Sequence, residues 1–167
     1  MKLPFALAGI TALTLLSAPA LAQTKEVGKF KDWTMYQHTG NPADICFITS
    51  QPKEATPPGT LSGRGFFYVS SWPRDGVKAE ISIKLSHSPK PGSTVTVQIG
   101  NSKFELFTKG DKAFVSDQTE ELKLLDTMKR GSFMVIKATN AAGQETTETY
   151  SLIGVTKAIS TLAKGCS

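Results

Sequence analysis

The sequence has little of what usually marks a catalytic or metal-binding protein. Of its 167 residues, only two are cysteine and two are histidine. Two cysteines exclude a four-cysteine zinc site and a small scaffold held together by several disulfides. The two histidines, His38 and His87, are far apart in the chain and have polar neighbours. We therefore expect no metal site and no cofactor.

Long apolar runs and dense positive charge are also missing after the first 22 residues. No later segment is apolar enough over a sufficient length to cross a bilayer. Hydrophobic residues make up 40% of the chain, which excludes intrinsic disorder. The formal net charge is +5, but the lysines are dispersed rather than gathered into a stripe with aromatic residues between them. We expect no nucleic-acid partner, while weak attraction to an anionic surface stays open.

The first 22 residues have the pattern of a secretory signal peptide. Lys2 provides a positive start, residues 5–16 form an apolar core, and the segment ends in Ala-Leu-Ala. This pattern predicts cleavage between Ala22 and Gln23, with an uncleaved anchor as the alternative. Residues 23–167 would then form one domain with a formal net charge of +4, because Lys2 is removed. We expect this mature form to be periplasmic or secreted by a bacterium and not to span a membrane.

The two cysteines, Cys46 and Cys166, are predicted to form one disulfide. Exported chains fold in an oxidising compartment, and an even number of cysteines favours pairing. The bond would close a loop of about 120 residues and contribute roughly 4–5 kcal/mol on the chain-entropy model. A catalytic thiol and an intermolecular bridge are the alternatives.

Most of the chain after residue 22 has the alternating pattern of half-buried strands. In residues 95–99, Val95, Val97 and Ile99 alternate with polar residues, and a Gly-Asn pair follows that is typical of a tight hairpin turn. Residues 52–63 contain three prolines and are predicted to be a loop. The predicted strands are residues 30–37, 44–50, 65–71, 79–85, 95–99, 103–108, 113–116, 132–139 and 146–150.

Two segments have helical rather than strand periodicity. In residues 117–129, Asp117 and Glu120 suggest a capping box, and Leu122, Leu125 and Met128 share a face. Residues 151–164 place apolar side chains on one stripe and end just before Cys166. The fold class is therefore mainly β, a β-sandwich or open barrel of about eight or nine strands with one or two short helices, the last at the C-terminus.

A search for a reactive constellation finds no catalytic residues. There is no G-x-S-x-G motif and no phosphate-binding loop. The carboxylate pair Glu120–Glu121 lies at a helix start, where negative charge favours the helix dipole. Trp72 and Arg74 are the possible binding surface, since an exposed tryptophan and arginine at a turn can anchor a partner. The alternative is that Trp72 covers the edge of the core.

Three short motifs and the terminal cysteine together resemble the invasion-associated locus B family of exported bacterial proteins. The motifs are FKDWT at residues 30–34, ICFI at residues 45–48 and YSLIG at residues 150–154, followed by a small-residue helix and Cys166. The resemblance extends over the whole predicted mature chain. Many members have a further cysteine soon after the tryptophan, where this chain has Tyr36 and Gln37. A disulfide that uses that cysteine should be absent here.

The resemblance implies a β-rich periplasmic or surface protein with no assigned enzymatic activity, and some relatives are linked to host-cell entry. It carries over no ligand-binding or catalytic residue. We expect a non-enzymatic binding protein at the cell envelope or host surface, with an unknown protein or envelope component as its partner. The alternatives are a periplasmic hydrolase with a site assembled from distant residues such as His38 and His87, and a carrier of a small ligand or lipid.

Overall fold

A computed structural model describes residues 23–39, 44–58 and 65–165 of the chain. Within these ranges there are eleven strands and two α helices. The strands are β1 (Gln23–Phe30), β2 (Trp33–Thr39), β3 (Ile45–Ser50), β4 (Glu54–Thr56), β5 (Phe66–Trp72), β6 (Val77–Lys84), β7 (Thr94–Ile99), β8 (Ser102–Lys109), β9 (Lys112–Phe114), β10 (Phe133–Thr139) and β11 (Glu145–Ser151). The helices are α1 (Gln118–Arg130) and α2 (Val155–Gly165).

All eleven strands belong to one antiparallel sheet. Their order across the sheet is β1-β2-β3-β5-β6-β9-β8-β7-β10-β11-β4. Most neighbours are joined by short hairpins, as in the β7–β8 pair, where Gly100 has a left-handed φ of 56° in the predicted turn. The prediction of a mainly β protein with its last helix at the C-terminus is confirmed.

The sheet curls so that strands distant in the sheet order pack against each other. The ring of Phe67 in β5 meets the ring of Tyr150 in β11 edge-on, with 6.2 Å between centroids. The indole nitrogen of Trp33 in β2 donates a hydrogen bond of 3.0 Å to the Ser151 carbonyl oxygen. One hydrophobic core therefore lies inside an open, curled sheet, and Trp33 is completely buried in it.

Two strands were not predicted, and both lie at an edge of the sheet. β1 is almost entirely exposed and has no regular apolar alternation, so periodicity gave no signal for it. β4 lies within the segment predicted to be a loop and has only three residues, which pair with β11. The loop prediction for residues 52–63 is therefore wrong at Glu54–Thr56. Edge strands tolerate the charged residues and nearby prolines that argue against a central strand.

The helix α1 begins as predicted but buries a different face. The Asp117 side chain accepts hydrogen bonds from the backbone N–H groups of Thr119 and Glu120, which caps the helix. Leu122 is 57% exposed, so its predicted place on the buried face is wrong. Leu124 takes that place beside Leu125 and Met128, because the helix packs on the sheet along their stripe.

The helix α2 lies against β1, β2, β3 and β5. Its side chains Leu162, Val155 and Ala158 are buried in the core. No helix among the described residues is long and apolar enough to cross a membrane.

The predicted disulfide and signal peptide involve residues outside the described ranges. Cys46 is 1% exposed in β3, and α2 ends at Gly165, immediately before Cys166. Cys166 itself lies outside the described residues, as does the segment 1–22 with Ala22, while Gln23 begins β1. The pairing and the cleavage site therefore stay predictions.

Candidate functional site

The turn between β1 and β2 is a conformationally unusual segment of the molecule. Phe30 pairs with Trp33, so Lys31 and Asp32 alone make the turn. Lys31 has a φ of 59°, the left-handed conformation, and is the one described non-glycine residue in it. This conformation costs a residue with a side chain roughly 1–2 kcal/mol. The surrounding structure must therefore hold the turn in place.

Contacts from two other parts of the chain hold this turn. The hydroxyl of Ser50 donates a 2.7 Å hydrogen bond to the Asp32 carbonyl oxygen. The Asp32 backbone N–H donates to the Ile153 carbonyl oxygen at 3.3 Å. Gly154 is so close to the turn that an added Cβ would lie 2.0 Å from the Phe30 carbonyl oxygen. The motifs at residues 30–34 and 150–154, separate in the sequence, thus pack directly against each other.

A cleft of about 520 Å³ opens beside this turn, on the sheet face opposite the core. Strands β1, β2, β3 and β5 and the residues after β3 provide its lining. Its side chains are mostly polar, with two aromatic rings. The lining residues are Lys29, Lys31, Asp32, Thr34, Tyr36, Thr49, Ser50, Gln51, Pro52, Lys53 and Phe66.

The cleft has an excess of positive charge. The Lys53 ammonium lies 2.5 Å from a carboxylate oxygen of Asp32. The hydrogen bond from Lys53, followed by one from Ser151, lowers the pKa of the Asp32 carboxyl, which is therefore ionised at neutral pH. Lys29 and Lys31 form no ion pair with any described residue, although the charge of Lys29 also contributes to the lowered pKa of Asp32. Their two charges are thus available to an anion.

Four aromatic rings, which we call the aromatic row, continue from the cleft across the same face. Each ring contacts the next at a centroid distance of 5.4–5.8 Å. All four are partly exposed, and burial raises the pKa of the Tyr68 hydroxyl. The order along the row is Tyr36, Phe47, Tyr68 and Phe66. Both ends of the row, Tyr36 and Phe66, line the cleft.

One cleft hydroxyl is buried without a hydrogen-bond partner among the described residues. It is Oγ1 of Thr49, which lies in β3 opposite Thr34 and Tyr68. A buried polar atom is normally paired, because an unpaired one costs about 1–3 kcal/mol. Other atoms of Thr49 line the open cleft, so a ligand would reach this oxygen only after a small shift of the neighbouring side chains.

The sequence-predicted surface lies elsewhere. Trp72 ends β5 and Arg74 lies in the short 3-10 helix that follows it, and neither lines the cleft. Arg74 pairs with Asp44 at 3.0 Å, and its side chain is 61% exposed. The indole nitrogen of Trp72 is buried and has no partner among the described residues, so Trp72 partly covers the edge of the core. The structure leaves their proposed binding role untested.

Both histidines contact hydroxyl groups, but neither lines the cleft. His38 Nδ1 is 2.8 Å from the Thr24 hydroxyl on the exposed side of β1 and β2. His87 Nε2 is 2.7 Å from the Thr146 hydroxyl. That hydroxyl also lies 3.1 Å from the Ala138 carbonyl oxygen, which can accept its hydrogen bond.

A buried carboxylate lies inside the curled sheet, and sequence reasoning did not single it out. Glu148 is 2% exposed. It accepts hydrogen bonds from the Ser86 hydroxyl, the Ser86 backbone N–H and the Tyr150 hydroxyl. Desolvation, together with the neighbouring carboxylate, raises the pKa of Tyr150 far above its usual range. Because its donors are internal, we interpret Glu148 as a structural link between β11 and the segment after β6.

A second cleft, of about 390 Å³, lies between β6 and the start of α1. There Glu121 accepts a 2.5 Å hydrogen bond from the Ile81 backbone N–H. Strand β9 pairs with β6 only at residues 82–84, so the carboxylate replaces a strand partner at Ile81. Desolvation, with a smaller contribution from the charge of Glu80, raises the pKa of the Glu121 carboxyl.

The raised pKa of Glu121 predicts a pH-dependent effect of Glu121→Gln. The folded state binds this proton more tightly than the unfolded state, so wild-type stability falls as pH rises from about 4.5 through the raised pKa. Glutamine keeps an acceptor for the Ile81 N–H and carries no charge. Urea denaturation should give the variant a higher midpoint than wild type at pH 7, with the difference disappearing at pH 4.

The matched control is Glu105→Gln, which changes an exposed glutamate in β8. It should show no comparable growth of the difference with pH. An equal pH trend in both variants, or a Glu121→Gln variant that loses stability at pH 7, would show that Glu121 is not the source.

The described residues contain no group of three or more histidine, cysteine, aspartate or glutamate side chains able to hold a metal ion. The kind of ligand that the cleft could hold therefore has to be inferred from its lysines, hydroxyls and aromatic rings. Of the lining residues, Lys31, Asp32 and Thr34 belong to the motif at residues 30–34 on which the resemblance was based. The remaining residues come from separate parts of the chain, and no local pattern joins them.

The fold and cleft define a class of protein: an open, curled antiparallel sheet with a polar, lysine-bearing cleft on its outer face. The solved structure of invasion associated protein B from Bartonella henselae has a similar fold. It matches over 86% of this chain and 97% of its own, with a TM-score of 0.56 and 14% sequence identity. The predicted resemblance is thus confirmed at the level of fold. No protein-family model and no curated protein sequence matches the chain.

Proposed function

We propose that this protein is a non-enzymatic binding protein, exported to the cell envelope or secreted, whose cleft holds an anionic ligand. The observation that carries the proposal is the pair of unpaired ammonium groups, Lys29 and Lys31, at the mouth of a cleft of about 520 Å³. A concave site of this volume is within the range of about 300–1,000 Å³ typical of ligand pockets. Charges without a partner in the protein attract and orient a ligand of opposite sign.

Export is supported by the signal-peptide pattern of residues 1–22. The fold shared with a protein whose name associates it with invasion is compatible with action at the envelope or a host surface. The partner would be an envelope or host-surface component that presents negative charge.

A lipid carrier and a hydrolase are less well supported. The cleft lining is mainly lysine, threonine, serine and glutamine, which suits a polar ligand rather than an acyl chain. The hydrolase alternative relied on His38 and His87, and neither histidine lines the cleft. Neither observation favours a second function over binding.

The test is the double variant Lys29→Gln/Lys31→Gln. The probe is heparin, a soluble polyanion, and the measurement is affinity by calorimetry at two salt concentrations. Removing two exposed charges should weaken binding about tenfold at low salt and reduce the salt dependence, since fewer counterions are released. Both side chains are exposed, so the fold should be kept.

The control Lys109→Gln/Lys112→Gln removes the same charge from the exposed β8–β9 hairpin, away from the cleft. It should bind heparin almost as wild type does. Equal losses in the two double variants would assign binding to net charge alone, and absence of binding by wild type would reject the proposal.

A further inference from the structure

We propose that the anionic ligand is an acidic polysaccharide, with one sugar unit in the cleft and its neighbours along the aromatic row. This inference rests on the proposed function and names the class of ligand for the same site. Three features of the site, which are the rings, the unpaired hydroxyl and the lysines, each match a different part of an acidic sugar.

The aromatic row matches the apolar face of a pyranose ring. Aromatic faces are electron-rich and attract polarised hydrogens, including the C–H groups that a sugar ring presents on one side. Tyr36 and Phe66 are partly exposed and line the cleft at either end of the row. Because the row begins and ends at the cleft, a sugar unit in the cleft and the unit beside it would both meet aromatic rings rather than bare strand surface.

The hydroxyl groups of the cleft match the hydroxyls of a sugar. Thr34 and Thr49 are directly opposite each other on β2 and β3 and both line the cleft. The buried Thr49 Oγ1 has no partner among the described residues, so a sugar hydroxyl that reached it after a small side-chain shift would supply the missing hydrogen bond. Inorganic polyphosphate offers acceptors only, so it can take a hydrogen bond from a threonine hydroxyl but cannot donate one in return, whereas a sugar hydroxyl can do both.

The lysines match the carboxylate or sulfate of an acidic sugar. Lys29 and Lys31 are at the β1–β2 turn, and the left-handed conformation of Lys31 fixes the direction in which the backbone presents it. Asp32 is already paired with Lys53, so the site holds two charges for the ligand. Two charges in a concave, hydroxyl-lined site favour a sparsely charged sugar polymer over a membrane surface, which attracts convex clusters of 4–8 basic residues.

The first experiment compares probes on the purified wild-type protein. The probes are polygalacturonate, inorganic polyphosphate, neutral dextran, poly(dT) and vesicles of phosphatidylglycerol, each at the same salt concentration. Polygalacturonate should bind at least about tenfold more tightly than polyphosphate or dextran, because only it joins negative charge to sugar rings. Stronger binding of the vesicles or of poly(dT) would assign the cleft to a membrane surface or to a single-stranded nucleic acid and overturn the inference.

The second experiment removes the rings with Tyr36→Thr/Phe66→Thr, because threonine is β-branched and also favours a strand. Affinity for polygalacturonate should fall about tenfold, whereas affinity for polyphosphate should hardly change. The matched control is Phe107→Thr/Phe114→Thr, which removes a stacked pair 5.8 Å apart on β8 and β9. It should leave polygalacturonate binding as in wild type.

The third experiment is Thr49→Val, which should move stability and binding in opposite directions. The melting temperature should rise by about 2–4 °C, because an unpaired buried hydroxyl becomes a methyl group of similar size. Polygalacturonate affinity should fall about fivefold as one hydrogen bond to the sugar is lost. If Thr49 has only a structural role, Thr49→Val should leave the affinity for polygalacturonate unchanged.

The outcomes separate this inference from the proposed function. If Lys29→Gln/Lys31→Gln weakens every polyanion equally and the ring and Thr49 variants change nothing, the cleft binds anions but not sugars. If the lysine variant also has no effect, the proposed function fails as well. If the ring variant does not fold, Thr49→Val and the probe comparison still decide the question.

Discussion

Gly154→Ala is expected to destabilise the fold strongly, although it adds only one methyl group. An alanine Cβ would lie 2.0 Å from the Phe30 carbonyl oxygen and 2.8 Å from the Phe30 carbonyl carbon. Both obstacles are backbone atoms, so no side-chain rotation can relieve the overlap. Gly154 also has a φ of 93°, which residues with a side chain rarely adopt.

Either the β1–β2 turn or the segment at residues 150–154 would therefore have to move. Displacing the β1–β2 turn would break the hydrogen bond from the Asp32 N–H to the Ile153 carbonyl oxygen and the one from the Trp33 indole to the Ser151 carbonyl oxygen. We expect a loss of about 4 kcal/mol or more in the free energy of unfolding, measured by urea denaturation. Because Lys31 and Asp32 line the cleft, heparin binding should fall as well.

Gly143→Ala is the matched control for this prediction. Gly143 has a similar φ of 84°, but no atom lies within 4 Å of the added methyl group. It should lose only about 1 kcal/mol, the cost of the left-handed conformation. Similar losses in the two variants would mean that conformation, and not contact with the β1–β2 turn, sets the requirement at Gly154.

Removing the predicted disulfide with Cys166→Ser is the second change with a large expected effect. Cys46 is buried in β3, and α2 packs on β3 and ends at the residue before Cys166. Opening a loop of about 120 residues should lower the free energy of unfolding by roughly 4–5 kcal/mol on the chain-entropy model. The measurement is urea denaturation of the variant and of wild type without reductant.

Reduced wild-type protein is the control for this prediction. It should lose about as much stability as the variant, and the variant should not respond to reductant. Mass spectrometry of the non-reduced protein should find a peptide pair joining Cys46 to Cys166. Two free thiols in that measurement would contradict the prediction.

Local patterns were sufficient wherever a residue's role depends on its near neighbours. The alternation of Val95, Val97 and Ile99 predicted β7, and the Gly-Asn pair predicted its turn, because strand burial repeats every two residues. Asp117 predicted the start of α1, because a capping side chain bonds to backbone N–H groups only two and three residues away. The resemblance carried by three motifs also predicted the fold that the solved neighbour shares.

The sequence by itself thus determined the β-rich class, the C-terminal helix and most of the central strands. The strands β1 and β4 could be identified only from the tertiary structure. An exposed edge strand forms by pairing with its neighbour and does not require alternating apolar residues. The tertiary structure also decided where the candidate site lies. Lys31, Thr49 and Phe66 belong to separate segments, which the pairing of β1 with β2, β2 with β3 and β3 with β5 brings side by side. The curling of the sheet then packs the motif at residues 150–154 against the β1–β2 turn.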